Sequence, residues 1–108
     1  MKENFIIIET TYPNLAKAKN LAKILLTQKL AACVQFSSIK SMYFWEEKIA
    51  NTNEILVSIK SKNSFYKLIE KTIKEHHDYE IPQILCIDVN QGSALYLKWI
   101  ASKLDSRK

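Results

Sequence analysis

The groups best suited to chemistry in this sequence lie between positions 76 and 82. Both histidines of the chain are there, followed by two carboxylates and a phenol: His76, His77, Asp78, Tyr79 and Glu80. Neutral imidazole nitrogen is a good ligand for copper, nickel and zinc, and carboxylate oxygen suits harder divalent cations. The segment is therefore a candidate metal site with His76 and His77 as first-choice ligands, although these residues equally suit the end of an ordinary helix.

Helical spacing predicts that the two imidazoles point in different directions. The preceding segment, with Asn63 as its N-cap, carries one face of residues at helical intervals: Phe65, Leu68, Ile69, Thr72 and Ile73. His76 continues this stripe near its centre, whereas His77 lies about 100° further round, on the flank. Adjacent helical histidines do not chelate one ion as an i, i+4 pair does, so structural readings stay open. In those readings His76 packs in the core, and His77 interacts with the dipole at the helix C-terminus.

The elements that position this segment alternate in a recognisable order. We predict a strand at 5–8 that breaks at 10–14, a helix from the N-cap Asn14 to about Leu30, and strands at 31–45 and around 55–60 joined by a turn at 46–48. Pro82 ends the histidine helix, a strand follows at 84–89, and a last helix runs from Gly92-Ser93 to about Leu104. This split βαβ pattern predicts an α+β, ferredoxin-like sandwich with an additional C-terminal helix.

The second and third strands are predicted to form a long hairpin. Residues 31–45 contain no Gly or Pro and are rich in β-branched and aromatic residues. Fully extended, they would span roughly 50 Å, whereas a typical strand has about five or six residues. We therefore expect a hairpin that either bends or bulges around Ser37-Ser38 or overhangs the rest of the domain.

The last helix is predicted to need a partner. Apolar residues surround most of its circumference, at Leu95, Tyr96, Leu97, Trp99, Ile100 and Leu104. A small domain rarely buries every side of its terminal helix, so a second subunit is the expected cover.

Composition narrows the class of protein. The 108 residues predict one domain, 1–108, and there is no 18-residue apolar run or signal peptide, so we expect a cytoplasmic protein without a membrane span. Cys33 and Cys86 are predicted to be small buried residues in a reducing compartment. The net charge of +5 comes from scattered lysines and the single Arg107, which favours a solvated surface over a nucleic-acid site.

Catalysis and RNA binding are the least favoured functions. The predicted central strand, residues 55–59, lacks the basic and aromatic RNP1 pattern of RNA-recognition domains. The 10–14 loop has neither the Gly nor the Arg of a phosphate-cradling loop, and no nucleophile with a base and an orienting group is evident. We expect a protein that is not an enzyme.

Several separated motifs together resemble the CutA divalent-cation-tolerance family. They are Lys29-Leu30-Ala31-Ala32-Cys33-Val34, Ser41-Met42-Tyr43-Phe44-Trp45-Glu46, Lys48-Ile49, Glu54-Ile55-Leu56, His77-Asp78-Tyr79-Glu80-Ile81-Pro82, and the closing Gly92, Tyr96-Leu97 and Trp99. The resemblance runs from Ile7 to about Leu104. It implies a homotrimer, a cytoplasmic role in tolerance of divalent metals, copper binding as in bacterial members, and no established catalysis.

The resemblance also bears on the site residues. It implies that His76 and His77 match the paired histidines of bacterial members. A Cys found in some copper-binding members is replaced by Thr10, which is a poor copper ligand, and the usual Pro after the histidines is Asp78. The usual Gly of the hairpin turn is Glu47.

Two functional hypotheses lead. The first is a trimeric copper(II) or other divalent-cation binding protein, with Asp78, Glu80 or Cys33 as additional ligands. The alternative is a trimeric signalling or scaffold protein, similar to PII proteins, that binds a ligand or a protein partner in clefts between subunits.

Overall fold

The computed structural model describes residues 3–106, so Arg107 lies outside the described residues. Its elements are β1 (Phe5–Tyr12), α1 (Leu15–Thr27), β2 (Cys33–Trp45), β3 (Lys48–Lys62), a 3-10 turn (Asn63–Phe65), α2 (Tyr66–Glu75), β4 (Leu85–Val89) and α3 (Ala94–Lys103). The predicted order of strands and helices is confirmed.

The four strands form one antiparallel sheet in the order β2-β3-β1-β4. With the chain order βαββαβ, this arrangement is a ferredoxin-like fold, as predicted. β1 is central between β3 and β4, and β4 is an edge strand. The end of β1 therefore lies where residues from several elements can reach it.

The core lies between the sheet and the first two helices. β1 contributes every second residue, β3 adds two, and α1 and α2 supply their apolar faces: Ile6, Ile8, Tyr12, Val57, Ile59, Ala18, Leu21, Leu25, Ile69 and Ile73. The period of two in the strands and the helical period in α1 and α2 thus meet in one buried cluster. Asn14 caps α1 as predicted, because its side-chain oxygen accepts a 2.9 Å hydrogen bond from the N–H of Lys17.

β1 is longer than predicted. The expected break at 10–14 is wrong, since Thr10 pairs with Val57 and Tyr12 with Ile55. Threonine and tyrosine fit a pleated surface well, and the long β3 offers hydrogen-bonding partners that extend beyond Ile8. The strand ends just before Pro13. This extension brings Thr11 and Tyr12 to the end of α2.

The β2-β3 hairpin is regular along its whole length. Its register is continuous from the Cys33–Lys60 pair to the Trp45–Lys48 pair, so the overhang occurs and the bulge at Ser37-Ser38 does not. The longest dimension of the described chain is 46 Å. The tip is a two-residue turn in which Glu46 and Glu47 have φ of 51° and 67°, a conformation that usually selects Gly or Asn.

Three other expectations are corrected or confirmed. Asn63 does not cap α2, because a 3-10 turn precedes that helix and no side chain caps it. The last helix begins at Ala94, close to the predicted start, and Ser93 caps it, because its Oγ accepts a 3.1 Å hydrogen bond from the N–H of Tyr96. Cys86 is exposed, contrary to the prediction, because it lies on the edge strand β4; Cys33 is half-buried.

Candidate metal centre

α2 ends just before the two histidines. Glu75 is its last residue, and His76 has φ of −124° and ψ of 34°, outside the helical region. The predicted helical stripe therefore does not extend to the histidines. His76 is exposed and His77 is half-buried, the reverse of the prediction, because the chain turns back towards β1 as it leaves the helix.

His77 uses both of its ring nitrogens. Its Nε2 lies 2.6 Å from the main-chain oxygen of Thr11, and its Nδ1 lies 3.1 Å from the N–H of Tyr79. A carbonyl oxygen only accepts and an amide N–H only donates, so Nε2 carries the proton and Nδ1 offers the lone pair. The imidazole also stacks on the Tyr12 ring, with centroids 4.3 Å apart and planes 21° apart.

His76 uses only one ring nitrogen. Its Nδ1 donates to the main-chain oxygen of Thr72 at 3.0 Å, so in the neutral imidazole the lone pair lies on Nε2. Nε2 has no hydrogen-bond partner among residues 3–106. Of the two histidines, His76 is therefore the one with an imidazole nitrogen available to a cation.

Tyr12 holds the junction between α2 and the histidine segment. Its hydroxyl donates a 2.9 Å hydrogen bond to the main-chain oxygen of His76, and its side chain is only 2% exposed. Burial, with a smaller contribution from the Asp78 carboxylate, raises the pKa of Tyr12 to about 12. The phenol therefore stays protonated and remains a donor at neutral pH.

Tyr79 reaches across to β3. Its hydroxyl donates to Oε2 of Glu54 at 3.2 Å, and Glu54 is 9% exposed. The Tyr79 ring also lies 4.7 Å from the His77 ring, with the planes tilted by 51°. Burial first, and then the Glu54 carboxylate, raise the pKa of Tyr79. A nearly buried carboxylate thus obtains a donor from the loop that contains the histidines.

The two other acidic residues of the segment do not join the imidazoles. Asp78 forms an ion pair with Lys17 of α1. The hydrogen bond from Lys17, and then its positive charge, lower the pKa of Asp78. Both side chains are solvent-exposed. Glu80 is exposed and has no partner among the described residues.

Cys33 does not reach the histidines either. It pairs with Lys60, whereas Thr11, which His77 contacts, pairs with Leu56. These two positions on β3 are four residues apart, which corresponds to about 13 Å along the strand. The Oγ1 of Thr10 is fully buried and lacks a partner within the described chain. No group of three His, Cys, Asp or Glu residues in the described range is arranged to hold a metal ion.

His76 also borders a groove beside α2. The cavity has a volume of about 380 Å³ and is lined by Ile24, Gln28, Leu30, Phe65, Leu68, Lys71, Thr72, Glu75 and His76. Its lining mixes apolar and polar side chains, and His76, whose Nε2 is free, is one of them.

Sequence reasoning did not identify three residues of this centre. Thr11, Tyr12 and Glu54 are 66, 64 and 25 residues away from their partners along the chain. For Tyr12 the sequence contains one indication of burial, because it is a large aromatic residue directly before Pro13. Thr11 acts through its main chain, which no sequence pattern reveals.

Similarity to known proteins agrees with this arrangement of elements. The family described as CutA1 divalent ion tolerance protein matches residues 6–103. A divalent-cation tolerance protein CutA from Pyrococcus horikoshii is 35% identical over 95 residues, covering 88% of this chain and 93% of that protein. The chloroplastic protein CutA 1 of rice is 33% identical over 96 residues and is covered over 54% of its length.

Solved structures show the same fold. CutA1 from the psychrotrophic bacterium Shewanella sp. SIB1 has a TM-score of 0.91 at 33% identity, with 98% of this chain and 100% of that chain covered. A protein of Archaeoglobus fulgidus, described as a periplasmic divalent cation tolerance protein, has a TM-score of 0.89 at 35% identity over 96% of this chain and all of that one. No helix in the described range is long and apolar enough to cross a membrane. The chain belongs to the CutA divalent-cation-tolerance family.

Proposed function

We propose that this protein is a homotrimeric, non-catalytic binding protein for divalent cations that acts in tolerance of metal ions in the cytoplasm, with copper(II) as the first ion to test. Family membership supports the link to divalent cations. The observation that carries the proposal is the exposed Nε2 of His76, which has no partner among the described residues.

The donors of one chain fit such an ion only in part. Imidazole nitrogen suits copper(II), but copper(II) prefers about four strong ligands in a tetragonal arrangement. His77 would have to give up a hydrogen bond to bind an ion, and Asp78 is paired with Lys17. One chain thus supplies His76, and binding by it alone is weak; water or residues from other subunits would complete the site.

Exposed apolar residues support the proposed homotrimer. At the hairpin tip Met42, Phe44 and Ile49 are 71%, 79% and 63% exposed, and on α3 Leu95 is 81% exposed. Apolar side chains clustered on a projecting hairpin and on an adjacent helix are typical of surfaces covered by other subunits. Association of three copies would remove this area from water.

Calorimetric titration with copper(II) tests the binding function. The native protein and a His76→Ala/His77→Ala double variant are titrated under the same conditions. A thermal melt on separate samples measures the stability of each protein. We expect copper binding to be lost in the double variant. Equal affinity in the two proteins would exclude the histidine segment as the metal site.

A second candidate function is a trimeric scaffold that binds a small ligand or a protein partner, as PII signalling proteins do. The groove beside α2, whose lining mixes apolar, polar and charged side chains, favours this alternative. In that case the double variant loses thermal stability, because His77 packs on Tyr12, while the native protein shows no copper binding to lose.

A further inference from the structure

We infer that His77 is a positioning residue, which anchors the loop between α2 and β4 to β1 and thereby keeps Tyr79 in contact with Glu54. The loop covers residues 76–84 and has no regular secondary structure. Within it, His77 is the side chain that bonds both to a strand of the sheet and to the loop itself. The inference does not depend on copper binding and concerns the metal-free protein.

The two nitrogens of His77 have separate tasks. Nε2–H donates to Thr11 at 2.6 Å and so fixes the position of the ring at the end of β1. Nδ1 accepts from the N–H of Tyr79, two residues further on, at 3.1 Å. A side chain that accepts from the amide two residues ahead imitates a backbone turn, as Asn and Asp side chains do. The second bond therefore sets the direction in which the chain leaves His77.

That direction determines where Tyr79 lies. Its amide is held by Nδ1, its ring lies 4.7 Å from the imidazole, and its hydroxyl reaches Oε2 of Glu54. Three contacts in a row thus lead from β1 through His77 and Tyr79 to β3. Tyr79 is the side chain that donates to the nearly buried carboxylate of Glu54 in the described structure. A buried carboxylate without a donor is costly, so the position of this phenol matters to the fold.

This role separates the two histidines. A metal ion at Nδ1 of His77 would have to displace the Tyr79 amide. Nε2 is not available either, because it carries the proton of the hydrogen bond to the Thr11 oxygen. His76 has a free Nε2 and bonds locally to Thr72 within the last turn of α2. His77 positions the loop, and His76 is the residue available to a ligand.

Three substitutions of His77 distinguish its two hydrogen bonds. His77→Phe keeps an aromatic ring to stack on Tyr12 and removes both bonds. His77→Asn places an oxygen close to the position of Nδ1 and can accept from Tyr79 as in an Asx turn. His77→Gln places an amide N–H close to the position of Nε2 and can donate to Thr11. His76→Ala serves as the matched control at the neighbouring position.

Hydrogen exchange of the Tyr79 amide is the measurement, made by NMR on each metal-free variant. We expect His77→Phe and His77→Gln to raise its exchange rate about tenfold, because the acceptor is lost. His77→Asn should recover only part of the protection, because it restores the acceptor but not the bond to Thr11. His76→Ala leaves the rate within about twofold of the native value. Such rescue by Asn and not by Gln is not expected if His77 serves only to fill space.

Two results would overturn the inference. One is an unchanged Tyr79 exchange rate in His77→Phe, and the other is an Asn variant as unprotected as the Phe variant. A copper titration on the same samples treats the proposed function separately. Absence of copper binding in the native protein would remove that function and leave the exchange result standing, whereas copper binding lost in His77→Asn but kept in His76→Ala would contradict the proposed choice of His76 as the ligand.

Discussion

The hydroxyl of Tyr12 donates a 2.9 Å hydrogen bond to the main-chain oxygen of His76, and so joins the end of β1 to the end of α2. The same ring stacks on His77. One buried side chain therefore fixes both the carbonyl that ends the helix and the imidazole that follows it. The candidate metal centre is built on this contact.

Removing the Tyr12 hydroxyl should destabilise the fold. Tyr12→Phe keeps the stacking with His77 and loses the bond to His76, for which we expect a loss of about 1 kcal/mol in the free energy of unfolding. Denaturant unfolding at fixed protein concentration measures the change. The control is Tyr66→Phe, which removes a longer 3.3 Å bond to Glu70 one turn further along α2 and should cost less because the bond is longer. Equal losses in the two variants would contradict the special position of Tyr12.

The hairpin turn should become more stable with glycine. Glu47 has φ of 67°, which costs a residue with a Cβ about 1 kcal/mol or more. We expect Glu47→Gly to raise the free energy of unfolding by up to about 1 kcal/mol, because glycine adopts this φ without strain but loses more chain entropy. Glu47→Ala removes the same carboxylate and keeps the strain. If Ala stabilises as much as Gly, the gain comes from charge and not from the backbone.

Cys86 should react slowly with alkylating reagents despite its exposure. Burial first, and then the Asp88 carboxylate, raise the pKa of the Cys86 thiol above its ordinary value. Less thiolate is then present at pH 8, and thiolate is the nucleophile. In a Cys33→Ser background, we expect the alkylation rate to keep rising with pH beyond the ordinary thiol pKa. Adding Asp88→Asn should shift this profile to lower pH; an unchanged profile would exclude the carboxylate as a cause.

The hairpin tip should control association. Phe44→Lys replaces an exposed apolar side chain on the projecting hairpin, and we expect it to weaken the proposed trimer in sedimentation equilibrium. Leu26→Lys, on the exposed side of α1, is the control and should leave the assembly unchanged. A native protein that sediments as a monomer at micromolar concentration would contradict the assembly, and so would a Phe44→Lys trimer of native strength.

Most of the fold could be predicted from local patterns, because each of these patterns depends only on residues close together in the sequence. The Asn14 cap, the helical spacing of α1 and the alternation in β3 each depend on a few adjacent side chains. The same logic failed at the histidines. Helical spacing predicts that His76 lies on the apolar face, but α2 ends at Glu75, so His76 is exposed and His77 is the half-buried histidine.

The partners of the histidines could not be predicted because they are distant in sequence. Thr11 accepts from His77 through its main chain, and it lies beyond the predicted end of β1. Glu54 meets Tyr79 only after β3 has paired with β1 and the loop has turned back. Such contacts depend on the register of the sheet, which short motifs do not specify.

Copper(II) titration of two single variants tests the division between the histidines most directly. His76→Ala and His77→Asn are compared with the native protein by calorimetry under identical conditions. We predict that His76→Ala loses copper binding, whereas His77→Asn retains the native affinity within about threefold because the free Nε2 of His76 remains. Copper affinity that survives in His76→Ala and disappears in His77→Asn would contradict the account.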